Sequence, residues 1–131
     1  MKSDIAIKKD VYLYLKGTTL ATMVTGKLSR RKRAVNSDKE DILISVLAQD
    51  GTSEQGAEVL VNVYVADVNI HGQYEENDSR LEELAEQASK DMESFYGADY
   101  YCKLNSQRIL AAANGQEHVI SHRLRYRTVN S

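Results

Sequence analysis

Apolar residues recur at helical spacing in one stretch of the chain and alternate in others, and these two periods predict most of its elements. Leu81, Leu84, Ala85, Ala88, Met92 and Phe95 form an i, i+3/i+4, i+7 stripe, the buried side of a helix. Asn77-Asp78-Ser79 offers candidate N-caps, Ser79 with Glu82 has capping-box spacing, and Gly97 closes the run, so a long helix is expected over about residues 78–96. Ile42-Leu43-Ile44-Ser45-Val46-Leu47 reads as a short buried strand. From Glu58 the chain alternates, with Val59, Val61, Val63 and Val65 on one face. Asp50-Gly51 and Gly56 between these runs mark a hairpin with a long polar turn over residues 49–56, and residues 67–77 read as a loop into the helix. Residues 100–112 read as a strand, or as a strand followed by a short helical turn, before the Asn114-Gly115 turn signal. The last run is a strand that puts Ile120, His122, Leu124, Tyr126 and Thr128 on one face and Ser121, Arg123, Arg125 and Arg127 on the other. At the front, Ile5, Ile7, Val11, Leu13 and Leu15 mix with Tyr12 and Tyr14 and fit either period; a helix over residues 4–16 followed by a strand over residues 21–28 is the preferred assignment. The resulting order predicts an α+β fold: an antiparallel β-sheet of four to five strands packed by the long helix and an N-terminal helix.

Length and composition add limits. The 131 residues suit a single domain over residues 1–131. With 42% hydrophobic and 27% charged residues, the chain is neither disordered nor collagen-like. A net charge of −2 conceals a segregation: residues 1–33 carry +7, residues 34–99 carry −13 and residues 100–131 carry +4. Such a chain can present strongly charged faces of both signs. One cysteine forms no internal disulfide. Apolar runs of only a few residues predict no membrane span, and the N-terminal residues have no signal-peptide pattern.

Candidate chemistry is sparse. His118 and His122 share a strand face, but that spacing puts them ~13 Å apart, too far to hold one metal ion. His71 lacks triad partners at a diagnostic spacing, and Cys102 among Tyr100, Tyr101 and Leu104 reads as a small core hydrophobe. No phosphate-cradling glycine loop is present. Neither an enzyme nor a cofactor is therefore expected. The basic features carry more. Ser29-Arg30-Arg31-Lys32-Arg33 is a four-charge run that suits either nucleic-acid phosphates or an acidic protein surface. Arg123, Arg125 and Arg127 on one strand face repel one another unless anions or carboxylates face them. In a self-assembling protein the acidic block of one subunit, including Glu82, Glu83, Glu86 and Glu93 on the helix, can meet the basic block of the next in a heterologous contact that closes into a ring. These four glutamates, Arg30, Arg31, Lys32, Arg33 and the three sheet arginines are the candidate interaction residues. The competing reading is a small nucleic-acid-binding regulatory protein that uses the two basic patches.

Several phrases together resemble a known family. Leu20-Ala21, Val24-Thr25-Gly26-Lys27-Leu28, then Asn36-Ser37-Asp38-Lys39-Glu40-Asp41-Ile42-Leu43-Ile44-Ser45, then Val61-Asn62-Val63-Tyr64-Val65-Ala66-Asp67 and finally His122-Arg123-Leu124-Arg125-Tyr126-Arg127 are similar to the tail-terminator or tail-completion (neck) proteins of tailed bacteriophages and prophages. The resemblance extends from about residue 10 to residue 129. It implies a structural virion protein, made in the host cytoplasm, that forms a homo-oligomeric, hexameric ring. That ring would cap the tail tube, contact the tail-tube and head-completion or neck proteins, and let DNA pass without specific recognition.

Overall fold

The computed structural model describes residues 2–50 and 56–129. Helix α1 (Asp4–Leu15) and a short α2 (Thr19–Met23) lead to strand β1 (Leu28–Ser29). Strands β2 (Ile42–Asp50) and β3 (Gly56–Ala66) follow, then a small pair, β4 (Val68–Ile70) and β5 (Gln73–Glu75). Helix α3 (Asp78–Met92), β6 (Ser94–Tyr96), β7 (Tyr100–Ala111) and β8 (Glu117–Thr128) complete the chain. The main sheet has six strands in the order β1-β2-β3-β8-β7-β6.

This is a mostly-β architecture and corrects the expected α+β fold of four to five antiparallel strands packed by a long helix and an N-terminal helix. The sheet is mixed, because β1 runs parallel to β2 while the other pairs are antiparallel. It is also curled into a half-barrel and accompanied by short helices. Two register shifts, between Val46 and Ala48 on β2 and between Leu104 and Ser106 on β7, mark irregular pairing. An extra residue in one strand bends it and increases its twist, so two such sites help a sheet curl.

Three local corrections have physical causes. The expected strand over residues 21–28 is replaced by α2 and the two-residue β1. Leu20 is fully buried and its N–H donates to Asp91 Oδ2, which fastens this short helix to α3. Gly26 then runs so close to the start of β2 that a Cβ there would stand 2.1 Å from Asp41 Oδ1. The long helix ends at Met92, four residues short of the expected end. Phe95 belongs to β6 but enters the same core, stacked on Tyr14 at 3.8 Å between centroids, so its place in the helical stripe is coincidental. The expected loop over residues 67–77 contains the β4–β5 hairpin, whose two-residue turn uses His71 (φ 52°) and Gly72 (φ 83°), the left-handed pair that suits the twist of two strands. The expected turn over residues 49–56 is narrowed by β2 and β3, and its centre, residues 51–55, lies outside the described residues.

One face of the sheet is covered. Ile7, Val11 and Leu15 of α1 and Leu81, Leu84, Ala88 and Met92 of α3 pack with Ile42, Ile44, Val59, Val61, Val63, Ile120, Leu124 and Tyr126. The cap of α3 is Asn77, whose side chain accepts the Arg80 N–H. Asn77→Ala is expected to cost about 1 kcal/mol in chemical denaturation, while Ser79→Ala changes stability by less than half of that.

Candidate interaction surfaces

The four-charge run after β1 divides in two. Arg33 turns inward. Its Nε donates to Asp41 Oδ2 at 3.0 Å, its Nη1 donates to Glu117 Oε1 at 2.7 Å, and its Cζ lies 3.9 Å from the Tyr64 ring centroid. Nη2 also donates to the carbonyls of Ser37 and Lys39. Asp41 and Glu117 are each 6% exposed, so this guanidinium compensates two buried carboxylates. Burial pushes the Asp41 carboxyl upward, but the Ser37 hydroxyl, the Lys27 amide and Arg33 outweigh it and hold the group below its ordinary pKa. Arg33 thus ties together a buried ionic cluster within its own chain. Arg30 lies over the Tyr12 ring, 5.4 Å from its centroid, while Arg31 and Lys32 are exposed. With Ile5 and Lys8 of α1, Arg30 and Arg31 line a shallow basic cup beside the β1 edge.

The acidic helix residues are all exposed but do not form one patch. Glu83 pairs with Arg80, which also grips Glu40 through Nε and Nη2 at 2.6 and 2.7 Å. The paired Glu40 carboxylate is the main reason the Arg80 guanidinium stays above its ordinary pKa. Glu93 stands at the far end of α3, where its carbonyl accepts the Leu104 N–H. Glu82 and Glu86 instead line a groove of about 550 Å³ with Glu76 and Asp78, above Leu81, Ala85, Gln107 and Ile109.

The sheet arginines lie on the face opposite the core, as the alternation requires. Arg123 Nη1 is 3.7 Å from Glu58 Oε2, and both side chains are well exposed, so the pair adds little stability. Glu58 is also the register partner of Arg125, whose guanidinium occupies the space that a Cβ on Gly56 would take. Lys103 is the partner of Arg125 on the other side, and Arg127 is exposed. The basic face therefore extends over two strands, with Glu58 lying on it as a partial counter-charge.

The histidines occupy three unrelated settings. His122 is fully buried. Its Nδ1 is 2.9 Å from the Val61 carbonyl, so Nδ1–H donates and Nε2 is left to accept from Gln107 at 2.9 Å. Gln107 also donates to the Ala85 carbonyl, which ties β7 and β8 to α3. Burial pushes the His122 pKa down to about 4, against a small opposite effect of the Val61 bond. His118 Nδ1 is 2.6 Å from Asp67, and His71 sits in the hairpin turn. Burial pushes the Cys102 thiol up to about 12. Among the described residues, no three His, Cys, Asp or Glu side chains gather as they would to hold a metal ion, and no helix is long and apolar enough to cross a membrane.

Sequence reasoning missed three features. Arg33, Asp41 and Glu117 are 84 positions apart at the extremes, so nothing local signals their meeting. Lys2 donates to Asp10, Asp99 and the Tyr126 hydroxyl, fastening α1 to β8. The groove beside α3 needed the position of β7, although the exposed Ile109 was an available hint.

No family model matches the chain. No curated protein matches it either. Among solved structures it is similar to a chain in the virion of a native gene transfer agent (GTA) particle, with TM-score 0.59 and 13% identity over 95% of each chain. At that identity, the likeness is one of fold.

Proposed function

We propose that this chain is a non-enzymatic structural protein of a phage-like particle, acting as a ring-forming tail terminator or neck component. The observation that carries the reading is its fold likeness, over 95% of both chains, to a chain of a gene transfer agent virion. The distribution of charge supports the ring. Exposed arginine and lysine near β1 and exposed glutamates beside β7 are surfaces of opposite sign that one subunit can offer to two neighbours. In this role the subunit's partners are further copies of itself, the tail-tube protein and the head-completion proteins. DNA crosses the ring without base-specific contact. The chain acts in the host cytoplasm during assembly and in the tail or neck of the finished particle.

Co-expression with the tail-tube subunit tests the role. Electron microscopy is expected to show tubes with a ring at one end, whose growth stops when the ring is present. Tubes that grow without limit beside unattached protein would overturn the terminator reading. The same preparation can be titrated against duplex DNA. Strong, salt-sensitive binding that is lost in an Arg123→Glu/Arg127→Glu variant would favour the nucleic-acid reading instead.

A further inference from the structure

We infer that the groove between α3 and the open edge of β7 is the socket for a second copy of this chain, and that it receives the exposed Arg31 and Lys32 of that copy. This assignment rests on the assembly role proposed above and gives it a specific contact.

The first argument is the state of the β7 edge. β6 pairs with β7 only from Tyr101 to Lys103, and among the described residues no other strand pairs with that side of β7. Residues 105–111 thus form an edge whose backbone groups are available to another chain. Ile109 and Leu110 on this edge are 44% and 42% exposed. Ile109 also floors the groove with Leu81 and Ala85, so a docked segment would cover apolar surface as well as meet charge.

The second argument is the charge at the two ends of the sheet. Glu82 and Glu86 rim the groove, and neither side chain has a hydrogen-bond or ion-pair partner among the described residues. The same is true of the Arg31 and Lys32 side chains. Within one chain no hydrogen bond or ion pair joins the two sets among the described residues, and β2, β3 and β8 lie between β1 and β7 in the strand order. Four strand spacings amount to ~19 Å along the sheet. Between copies they do meet, and each subunit retains one unused basic end and one unused acidic end. A head-to-tail contact of this kind propagates and closes when the rotation permits. An acidic rim also argues against nucleic acid as the occupant, since phosphates would face carboxylates.

Light scattering coupled to gel filtration, run on the full chain at low and high salt, tests the assignment. The wild-type chain is expected to associate at low salt and to weaken as salt screens the contact. Glu82→Lys/Glu86→Lys and Arg31→Glu/Lys32→Glu are each expected to abolish association while keeping the wild-type circular dichroism spectrum. Mixed in equal amounts, the two variants are expected to associate again, because each then presents an end that the other can accept. Hydrogen exchange gives an independent readout: residues 105–111 are expected to gain protection on association. A wild-type chain that stays monomeric throughout, variants that assemble as well as wild type, or a mixture that fails to recover would each overturn the socket. Assembly unaffected by the charge reversals would leave the ring reading standing. Assembly through the socket combined with indifference to tail tubes would leave the socket standing and remove the terminator role.

Discussion

Arg33→Met is expected to lower the free energy of unfolding by about 3–5 kcal/mol, the usual consequence of deleting one partner from a buried ionic cluster. The Arg33 side chain is 16% exposed and the side chains of its acceptors Asp41 and Glu117, taken without their backbone, are 9% and 7% exposed, so water cannot easily replace it. Asp41 keeps the Ser37 hydroxyl and the Lys27 amide, and Glu117 keeps the Asn114 amide. Most of the loss therefore falls on Glu117, which keeps one hydrogen bond among the described residues where Asp41 keeps two. Methionine fills much of the volume over Tyr64, which separates the electrostatic effect from a simple cavity. Urea denaturation at neutral pH is the measurement. Arg31→Met, two positions earlier and exposed, is expected to stay within ~0.5 kcal/mol of wild type. An Arg33→Met chain as stable as Arg31→Met would show that the cluster is not a structural centre. If the run were one functional unit, the two substitutions would instead act alike on assembly and on stability.

Acid is expected to destabilise the protein by about 3.5 kcal/mol through His122 alone. In the unfolded chain this imidazole takes its proton near pH 6.5, while in the folded chain it does so only near 4. Between those values the unfolded state binds more protons, so stability is fully present above about pH 6.5 and falls as pH drops toward 4. A gap of 2.5 between these values corresponds to the stated energy at ~1.4 kcal/mol each. Protonation would put a second N–H against Gln107 and a charge between sheet and α3. Asp41, held below its ordinary range, acts in a separate and more acidic window: its contribution is lost only as pH falls below the ordinary carboxylate value. His122→Gln retains a donor and an acceptor and removes the titration. Its stability is expected to be flat between about pH 6.5 and 4.5 where wild type declines. Parallel curves for the two proteins would sink this account.

The elements were legible in the sequence where one period held and one face met the core. Val59, Val61, Val63 and Val65 define β3 by strict alternation, and the closing strand separates its arginines from Leu124 and Tyr126 as its pattern requires. The failures came where composition and packing disagreed. Thr19, Thr22 and Val24 favour a strand by propensity, yet Leu20 has a core site and Asp91 supplies an acceptor for its N–H, so tertiary contact decides for a helix. The class assignment failed for a different reason. Strand count and curl depend on short pieces such as β1 and β6, and three residues or fewer carry too little pattern to be read. Candidate contact residues were legible as charges but not as surfaces. Arg33 and Arg31 look equivalent in a basic run; only the distant Glu117 and Tyr64 distinguish them.

The position of β8 in the sheet has a consequence for how the chain is made. β8 pairs with β3 over Gly56 to Ala66 on one side and with β7 on the other, so it is the strand that joins the two halves of the sheet. A ribosome delivers the other described elements of this sequence before it. Until residues 117–128 emerge, β3 presents an apolar face beside a vacant edge, and among the described residues the only strand beside β7 is the three-residue β6. The nascent chain thus passes through a stage with two open strand edges, the kind of species that aggregates or recruits a chaperone. Closing the sheet late also imposes contacts between residues far apart in sequence, which slows folding relative to a hairpin of the same size. Translation pausing before β8 would lengthen that exposure, and a chain interrupted there would be left as two unjoined half-sheets.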